Sequence, residues 1–318
     1  MAPKKKGSGD ENDTFEIFQR CYKKAAREFE VLPDCERIMK PIYNRIDEKG
    51  DDFKQGWNFT DEFNQMAFRV IMLGLRQSGH NEIKALRLWR CGGGDEAARS
   101  VCVYLDAKPP PAVQELQMVD IGLTALAGEF LGKTLSVGGN PNLLYLRLDF
   151  NCIGDLGMER IAHGLSLNGT LRKLSAQYCG IGFSGASALG RALMFVNSQV
   201  ADVNLRGNEL GREGVIEFLR GCRRAKALKS LDLSGNKFGE TEDVINAFQY
   251  LFQHNTSIES YTLLDNAFSD AGAQQLLAGI LGNSHLQKVV VSERVPLATH
   301  EAIAIAVGGK KKGKKKKK

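Results

Sequence analysis

Two glycine-rich stretches are the parts of this sequence whose residue types and spacing come closest to a cofactor-binding motif. Residues 180–185, GIGFSG, have the GxGxxG spacing in which backbone amides can bind a dinucleotide pyrophosphate. Residues 128–134, GEFLGKT, have the glycines, lysine and threonine of a phosphate-binding loop, but the stretch is one residue short and has helical periodicity. One such motif alone is weak evidence, so its meaning depends on the elements around it.

The reactive side chains add no catalytic or metal site to these stretches. The five histidines are scattered, and the sequence has no HExxH motif and no paired CxxC motifs for zinc. No serine lies in a GxSxG motif. Because no nucleophile, base and orienting group come together, we predict a non-enzymatic protein that needs no cofactor, metal or small-molecule substrate.

The elements that surround these glycines belong to a repeat. Residues 143–170 begin with Leu143, Leu146 and Leu148 at the spacing of a short strand, pass through Asn151, and continue with apolar residues at helical spacing. The pattern recurs every 28 to 30 residues. Its first position is held by Ile83, Val113, Leu143, Leu171, Val200, Leu228, Ile258 and Leu286.

A turn residue after each strand and a pair of glycines recur with the same period. The position of Asn151 is held by Asn208, Asn236, Asn266, Cys91 and Cys179, whereas Ile121 and Arg294 break the pattern. Asn suits a turn because its side chain bonds nearby backbone and tolerates a left-handed φ. Gly182 aligns with Gly154, Gly211 and Gly239, and Gly185 with Gly157, Gly214 and Gly272. We therefore assign the GxGxxG glycines to the strand-to-helix turn.

This pattern resembles the leucine-rich repeat family, in its long-repeat ribonuclease-inhibitor-like subclass, over roughly residues 83–309. The resemblance implies an α/β solenoid that binds other proteins. Geometry predicts its shape independently, because parallel strands lie ~4.8 Å apart while packed helices need ~8–10 Å. A stack of such units must curve into a horseshoe with a parallel concave sheet and convex helices.

Four regions follow from these patterns. We predict a disordered tail over 1–13, an N-terminal helical cap region over 14–82, about eight repeats over 83–309, and a disordered lysine-rich tail over 310–318.

Within the cap region, an aromatic stripe predicts a first helix. Its members are Phe15, Phe18, Tyr22 and Phe29. A second helix begins at Pro33 with Pro41 as a kink, residues 50–60 form a loop, and Thr60 or Asp61 caps a third helix. We interpret 61–80 as the helical half of an incomplete repeat.

The residues between and just after the apolar strand positions should face outward and form the partner-binding site. Arginine, tryptophan and tyrosine, which are enriched at binding hot spots, cluster in the first five repeats. The predicted partner-binding residues are Arg87, Trp89, Arg90, Tyr145, Arg147, Phe150, Tyr178 and Arg206. Later repeats carry small residues such as Ser234 and Thr262 at these positions.

The positive charge of the chain belongs to its two ends. The net charge is +6, and removing the three lysines at 4–6 and the eight at 310–318 leaves −5 for the rest. Nucleic acid is therefore not the expected partner of the body. The C-terminal lysines are Lys310, Lys311, Lys312, Lys314, Lys315, Lys316, Lys317 and Lys318. Three interpretations stay open for them: solubility, attraction to an acidic partner such as a tubulin tail, and nuclear localisation.

The cellular compartment is predicted from the apolar runs, the first residues and the cysteines of the sequence. No apolar run approaches the ~20 residues of a membrane span, and the first residues lack the apolar core of a secretory signal. Seven cysteines, an odd count, favour reduced structural thiols. We predict a cytoplasmic protein of the cytoskeleton.

We predict a scaffold that holds a protein partner on the concave face. The lysine-rich ends resemble those of ciliary axoneme members of the family, which implies tubulin or other axonemal partners in a cilium or flagellum. Two alternatives remain. Ran GTPase-activating proteins share the repeat type but typically have an acidic C-terminal region. Tropomodulin, an actin-filament regulator, also joins N-terminal helices to such repeats, although no actin-binding motif is evident here.

Overall fold

The computed structural model describes residues 9–49 and 56–308, which divide into two compact units. Unit 1 comprises the described residues up to Gly122 together with residues 138–143. Unit 2 comprises residues 123–137 and the described residues from Leu144 onward.

Unit 1 combines three N-terminal helices with three short parallel strands. The central residues of the strands lie in one row, with Trp57 beside Leu86 and Leu86 beside Leu116. Helix α3 packs against α1, α2 and α4. The elements are α1 (Gly9–Glu28), α2 (Leu32–Lys49), β1 (Trp57–Phe59), α3 (Gln65–Ser78), β2 (Ala85–Trp89), α4 (Gly94–Leu105) and β3 (Glu115–Val119).

Unit 2 is an unbroken run of strand–helix repeats. Each strand pairs in parallel with the next, and each helix packs against the next. The elements are α5 (Ala127–Leu135), β4 (Tyr145–Arg147), α6 (Gly154–Ser166), β5 (Lys173–Ser175), α7 (Phe183–Leu193), β6 (Asp202–Asn204), α8 (Gly211–Cys222), β7 (Ser230–Asp232), α9 (Glu242–His254), β8 (Ser260–Thr262), α10 (Asp270–Ile280), β9 (Lys288–Val290) and α11 (Leu297–Gly308). This confirms the predicted α/β leucine-rich repeat solenoid.

The core of unit 2 lies between its strands and its helices. The middle residue of every strand is buried in one row, formed by Leu146, Leu174, Val203, Leu231, Tyr261 and Val289. The residues on either side of it point the other way, as strand geometry requires. This row of buried apolar side chains links neighbouring repeats. Each Å² of apolar surface that it removes from water stabilises the stack by ~25 cal/mol.

The recurring glycines have two roles rather than one. Gly154 and Gly211 have φ of +60° and +61°, so they serve the predicted strand-to-helix turn. Gly157 lies inside α6, where an added Cβ would come within 3.0 Å of the Cα of Ala125. Gly185 similarly lies in α7, against Asp155. Their assignment to the turn was wrong, because they allow each helix to approach the preceding repeat.

Residues 57–59, which were predicted as part of a loop, form strand β1. Trp57 and Phe59 are buried and Asn58 is exposed, which is the alternation of a half-buried strand. Trp57 lies 29 residues before its partner Leu86, so β1 has the spacing of the repeat. The strand was missed because the glycines and aspartates before it indicate a loop.

Three boundaries in the cap region also differ from prediction. Helix α1 begins at Gly9, within the segment predicted to be disordered, because a formed helix gains a hydrogen bond with each residue it adds. Helix α3 is capped by Asn64, whose side chain accepts bonds from the amides of Met66 and Ala67, rather than by Thr60 or Asp61. Phe29 is exposed, since it follows the end of α1, whereas Phe18 and Tyr22 are buried.

A ladder of asparagines joins repeats of unit 2 at the bend after four of its six strands, β4, β6, β7 and β8. The amide of Asn208 donates to the carbonyls of Leu205 and Ala176, at 2.8 and 2.7 Å. Its oxygen accepts from the backbone amides of Cys179 and Ile181, at 2.9 and 3.1 Å. One buried side chain therefore satisfies four backbone groups in two repeats.

Replacing Trp57 by Ala should lower the free energy of unfolding by ~3–5 kcal/mol, because the ring is fully buried. It lies between Phe18 and Phe59, with centroids 5.4 and 6.4 Å away. Urea denaturation followed by far-UV circular dichroism measures the change. Phe29→Ala, which truncates an exposed aromatic of the same unit, is the control and should cost less than ~1 kcal/mol. Equal losses in both variants would contradict the buried position of β1.

Replacing Asn208 by Ala should cost at least ~3 kcal/mol, since it removes the partners of several buried backbone groups. Asn208→Cys should cost less, because Cys179 occupies the equivalent position and its thiol donates to the carbonyl of Leu148 at 3.2 Å. Asn197→Ala, at an exposed asparagine, should leave the urea midpoint unchanged. If the asparagine ladder does not contribute to the free energy of unfolding, Asn208→Ala and Asn197→Ala will have the same urea midpoint.

Candidate protein-binding surface

An open cleft lies on the strand face of unit 2, and we call it the inner-face cleft. Its volume is about 640 Å³, and it extends across the side chains that point away from the helices. Tyr145 and Arg147 stand on β4, whereas Ser230, Ser260 and Thr262 leave open space on β7 and β8. The remaining polar lining residues are Lys173, Ser175, Gln177, Asp202, Asn204, Asp232 and Lys288.

Arg147 is engaged within the repeats themselves. Its Nε lies 2.6 Å from a carboxylate oxygen of Asp149, whose side chain is fully buried. The other oxygen of Asp149 accepts from the Ser175 hydroxyl at 2.6 Å and from the backbone amide of Gln177 at 2.9 Å. A buried carboxylate that loses its cation is strongly destabilising. Arg147, predicted as a binding residue, therefore also holds this bend together, and Asp149 was not among the predicted residues.

Phe150, Tyr178 and Arg206 come together in one place, and we call them the aromatic ledge. The two rings stack with centroids 5.0 Å apart and planes 9° apart. Their side chains are 49% and 46% exposed. A hydrogen bond with Tyr178 raises the pKa of the Arg206 guanidinium, which also lies 3.6 Å from Asp265.

The ledge rests on an unusual backbone conformation that recurs before each turn residue. Phe150 and Tyr178 have φ of +60° and +51°, and Gly207, one repeat later, has +71°. Glycine adopts this region freely, whereas a bulky residue there is a genuine outlier that carries strain. Gly207 also makes room for the ledge, because a Cβ at this position would lie 2.2 Å from the Tyr178 ring.

Unit 1 holds the other three predicted binding residues. Arg87 binds Glu115 with two hydrogen bonds of 2.5 and 2.9 Å, and these lower the pKa of the Glu115 carboxyl. The indole of Trp89 donates to Gln117 at 3.0 Å while the side chain is 42% exposed. Arg90 lies 3.5 Å from Asp120, and both are exposed.

The eight predicted residues therefore fall into two groups, with Arg87, Trp89 and Arg90 in unit 1 and the rest in unit 2. Their assignment to partner binding stays a prediction. The predicted lysines at 4–6 and 310–318 lie outside the described residues.

The glycine-rich stretches do not form a phosphate site. The amides of Gly182 and Gly185 both donate to one carboxylate oxygen of Asp155, at 2.7 and 2.9 Å. Those amides would contact a pyrophosphate, so the repeat already supplies the anion. Residues 128–134 lie within helix α5, as their periodicity predicts.

Two of the buried thiols are protonated, and residues 14–44 and 56–308 contain no metal-binding cluster. Burial raises the pKa of Cys91 and of Cys179 to about 12, so both stay protonated. No group of three or more His, Cys, Asp or Glu in these ranges could hold a metal ion. No helix there has both the length and the apolarity to cross a membrane.

Comparison with known proteins agrees with this architecture. Two family models, both described as leucine-rich repeats, match residues 139–162 and 227–251. Ribonuclease inhibitor of Sus scrofa is 33% identical over 127 residues, which is 40% of this chain and 27% of that protein. The NACHT, LRR and PYD domains-containing protein 3 of Rattus norvegicus is 27% identical over 180 residues, 56% of this chain and 17% of the relative.

The chain thus spans about a quarter or less of the length of these relatives. Among solved structures, the TLR13–ssRNA13 complex is similar at 15% identity with a TM-score of 0.44, over 75% of this chain and 33% of that chain. The repeats, their register in unit 2 and the two family models lead to one conclusion. The chain is a leucine-rich repeat protein of the ribonuclease-inhibitor-like type.

Proposed function

We propose that this leucine-rich repeat protein is a non-enzymatic scaffold, and that its partner docks on the aromatic ledge and the adjoining inner-face cleft of unit 2. The observation that supports this most is the stacked pair of Phe150 and Tyr178, half exposed on a strained backbone. Exposed aromatic clusters of this kind mark contact sites on soluble proteins.

The ledge suits a binding anchor because it is ordered before any partner arrives. Stacking holds both rings against each other, and Arg206 lies beside Tyr178. A partner that covers these rings gains apolar burial without the usual cost of immobilising them. The tyrosine hydroxyl and guanidinium remain as polar groups at the border of the apolar contact.

A partner would recognise the inner-face cleft by its shape more than by its charge, because cations in the cleft are paired with carboxylates. Lys173 lies 3.4 Å from Asp202, and Arg147 is bound to Asp149. The serines and threonine of β7 and β8 are small, so a partner segment can enter over them. Contact here should depend on fit and hydrogen bonding, and it should respond little to salt.

We further propose that the scaffold works in a microtubule-based assembly, such as the axoneme of a cilium or flagellum, in the cytoplasm. This rests on the eight lysines of residues 310–318, which form a strongly positive end. Such a segment attracts acidic polymers, including the tails of tubulin, without a fixed geometry. The name of the Sus scrofa relative describes an inhibitor of an enzyme, which favours a protein partner for the repeats.

The ledge variants Phe150→Ala and Tyr178→Ala should each weaken binding of the partner by ~1–3 kcal/mol. The partner is first identified by quantitative affinity capture with the full chain, and the dissociation constant is then measured by calorimetry. Arg147→Ala is not a useful probe, because it would leave buried Asp149 without its cation. Gly207→Ala tests the same surface without removing a contact group, because its Cβ displaces the Tyr178 ring.

The matched control is Phe183→Ala, since Phe183 is half exposed on helix α7 of the same unit. Ser234→Ala should also do little, because Ser234, which was predicted to face outward, is buried and offers a partner no contact. If Phe183→Ala weakens binding as much as the ledge variants, docking on the ledge is excluded.

Removal of residues 310–318 should reduce co-sedimentation with microtubules, most clearly at low salt, because exposed charges are screened over ~8 Å at physiological ionic strength. The thermal midpoint should stay the same, since a lysine run adds no apolar packing. Full-length and shortened chains that pellet equally across a salt series would refute the tubulin contact and leave the ledge proposal intact.

A further inference from the structure

A second cleft lies on unit 2 where three successive helices turn back toward their strands. We call it the edge cleft. Its volume is about 430 Å³, and it is formed by the turns over 194–198, 223–227 and 254–257. It includes none of the predicted binding residues.

One side of the edge cleft is apolar and exposed. Met194, Phe195 and Val196 are 42%, 49% and 83% exposed. Their backbone is held by bonds from Phe195 N to Ala192 O at 3.3 Å and from Ser198 N to Phe195 O at 3.0 Å. Three adjacent apolar side chains are therefore presented to solvent by an ordered turn, and not by a frayed helix end.

The facing side of the cleft is basic. Arg223, Arg224 and Lys226 are exposed, and no carboxylate in residues 14–44 or 56–308 pairs with them in a salt bridge. Other exposed cations of unit 2, such as Arg212 and Lys237, do have acidic partners. The cleft lining contains no aspartate or glutamate. Its charge is thus available to an acidic ligand.

The basic side is also ordered. The Arg223 guanidinium lies over the Tyr250 ring at 3.9 Å, and that ring stacks on His254 at 4.1 Å. Asn255 ties two turns together, because its side chain donates to the carbonyl of Cys222 at 3.0 Å and accepts from the amide of Ser257 at 2.8 Å. Arg223 and the two turns on this side of the cleft are therefore held in place before binding.

We propose that the edge cleft binds an acidic peptide segment of a partner protein that carries one apolar anchor. Its carboxylates would pair with Arg223, Arg224 and Lys226, and its apolar side chain would lie on Met194, Phe195 and Val196. This contact is separate from the aromatic ledge, so it stands whether or not the ledge binds a partner.

Charge and surface chemistry favour a peptide over a nucleic acid. The chain without its two lysine-rich ends has a net charge of −5, which repels a long polyphosphate outside the cleft. Three cations match a short acidic run, whereas nucleic-acid sites extend a basic surface along many phosphates. Met194 and Val196 provide aliphatic surface that suits an apolar side chain better than a base.

Fluorescence anisotropy with the full chain tests the proposal. The probe is a short labelled peptide with one central Phe flanked by Glu residues, compared with versions in which Ser replaces the Phe or Gln replaces the Glu. The double variant Arg224→Glu and Lys226→Glu should weaken binding about tenfold or more, because it reverses two of three cations. Phe195→Ala should weaken it about fivefold, and only for the peptide that carries Phe.

The control is Lys133→Glu with Arg294→Glu, which makes the same change in net charge at exposed sites outside the cleft. The lysine-rich ends are identical in all these proteins, so differences between them report on the body of the chain. Equal losses in the two double variants would overturn the proposal, as would a Phe195→Ala effect that is the same for all peptides. Tighter binding of a poly-uridine RNA than of the peptide, lost in the cleft variant, would assign the cleft to nucleic acid instead.

Discussion

The bend after each strand is the constraint on which the rest of unit 2 depends. There the chain turns from strand to helix inside the protein, so its amides and carbonyls cannot turn to water and must find partners. Asn151, Asn208, Asn236 and Asn266 supply them, and each of these side chains also bonds to the backbone of a neighbouring repeat. The repetition follows from this, because each asparagine must lie where it can reach the bend of a neighbouring repeat.

The same bend creates the surface that we propose for binding. To bring an asparagine inward, the residue before it adopts a left-handed φ, and its side chain then projects outward at the end of the strand. Most repeats tolerate this with glycine or a charged residue, as at Gly207, Gly235 and Asp265. Phe150 and Tyr178 are the exceptions, because a bulky side chain at a left-handed φ strains the backbone. The fold thus requires a left-handed residue before the turn residue of these repeats. The choice of a strained aromatic residue there, rather than glycine, supports the proposed binding role.

The repeat and its strands could be predicted because they rest on a local pattern, apolar residues at strand and helix spacing, that recurs eight times. Strand β1 could not, since a single Trp-Asn-Phe stretch shows a strand only when Leu86 lies beside it. The residues proposed to bind a partner could be chosen from sequence by their type, but the side chains that they contact within the fold could not. Glu115 lies 28 residues from Arg87 and directly beside it in space, and nothing local links the two.

The edge cleft shows why a surface of a repeat protein is difficult to predict from sequence, because its residues come from several repeats. Phe195, Arg224 and Thr256 are separated by about one repeat each, and each turn alone is a short connection between a helix and a strand. Stacking places the three turns side by side and adds their properties together. On the strand face, Lys173 and Arg147 have acidic partners nearby, so charge there is largely neutralised. At the edge, the cations have none among the described residues. In our proposals, recognition by charge therefore belongs to the turns between helix and strand, and recognition by shape to the strand face and its aromatic ledge.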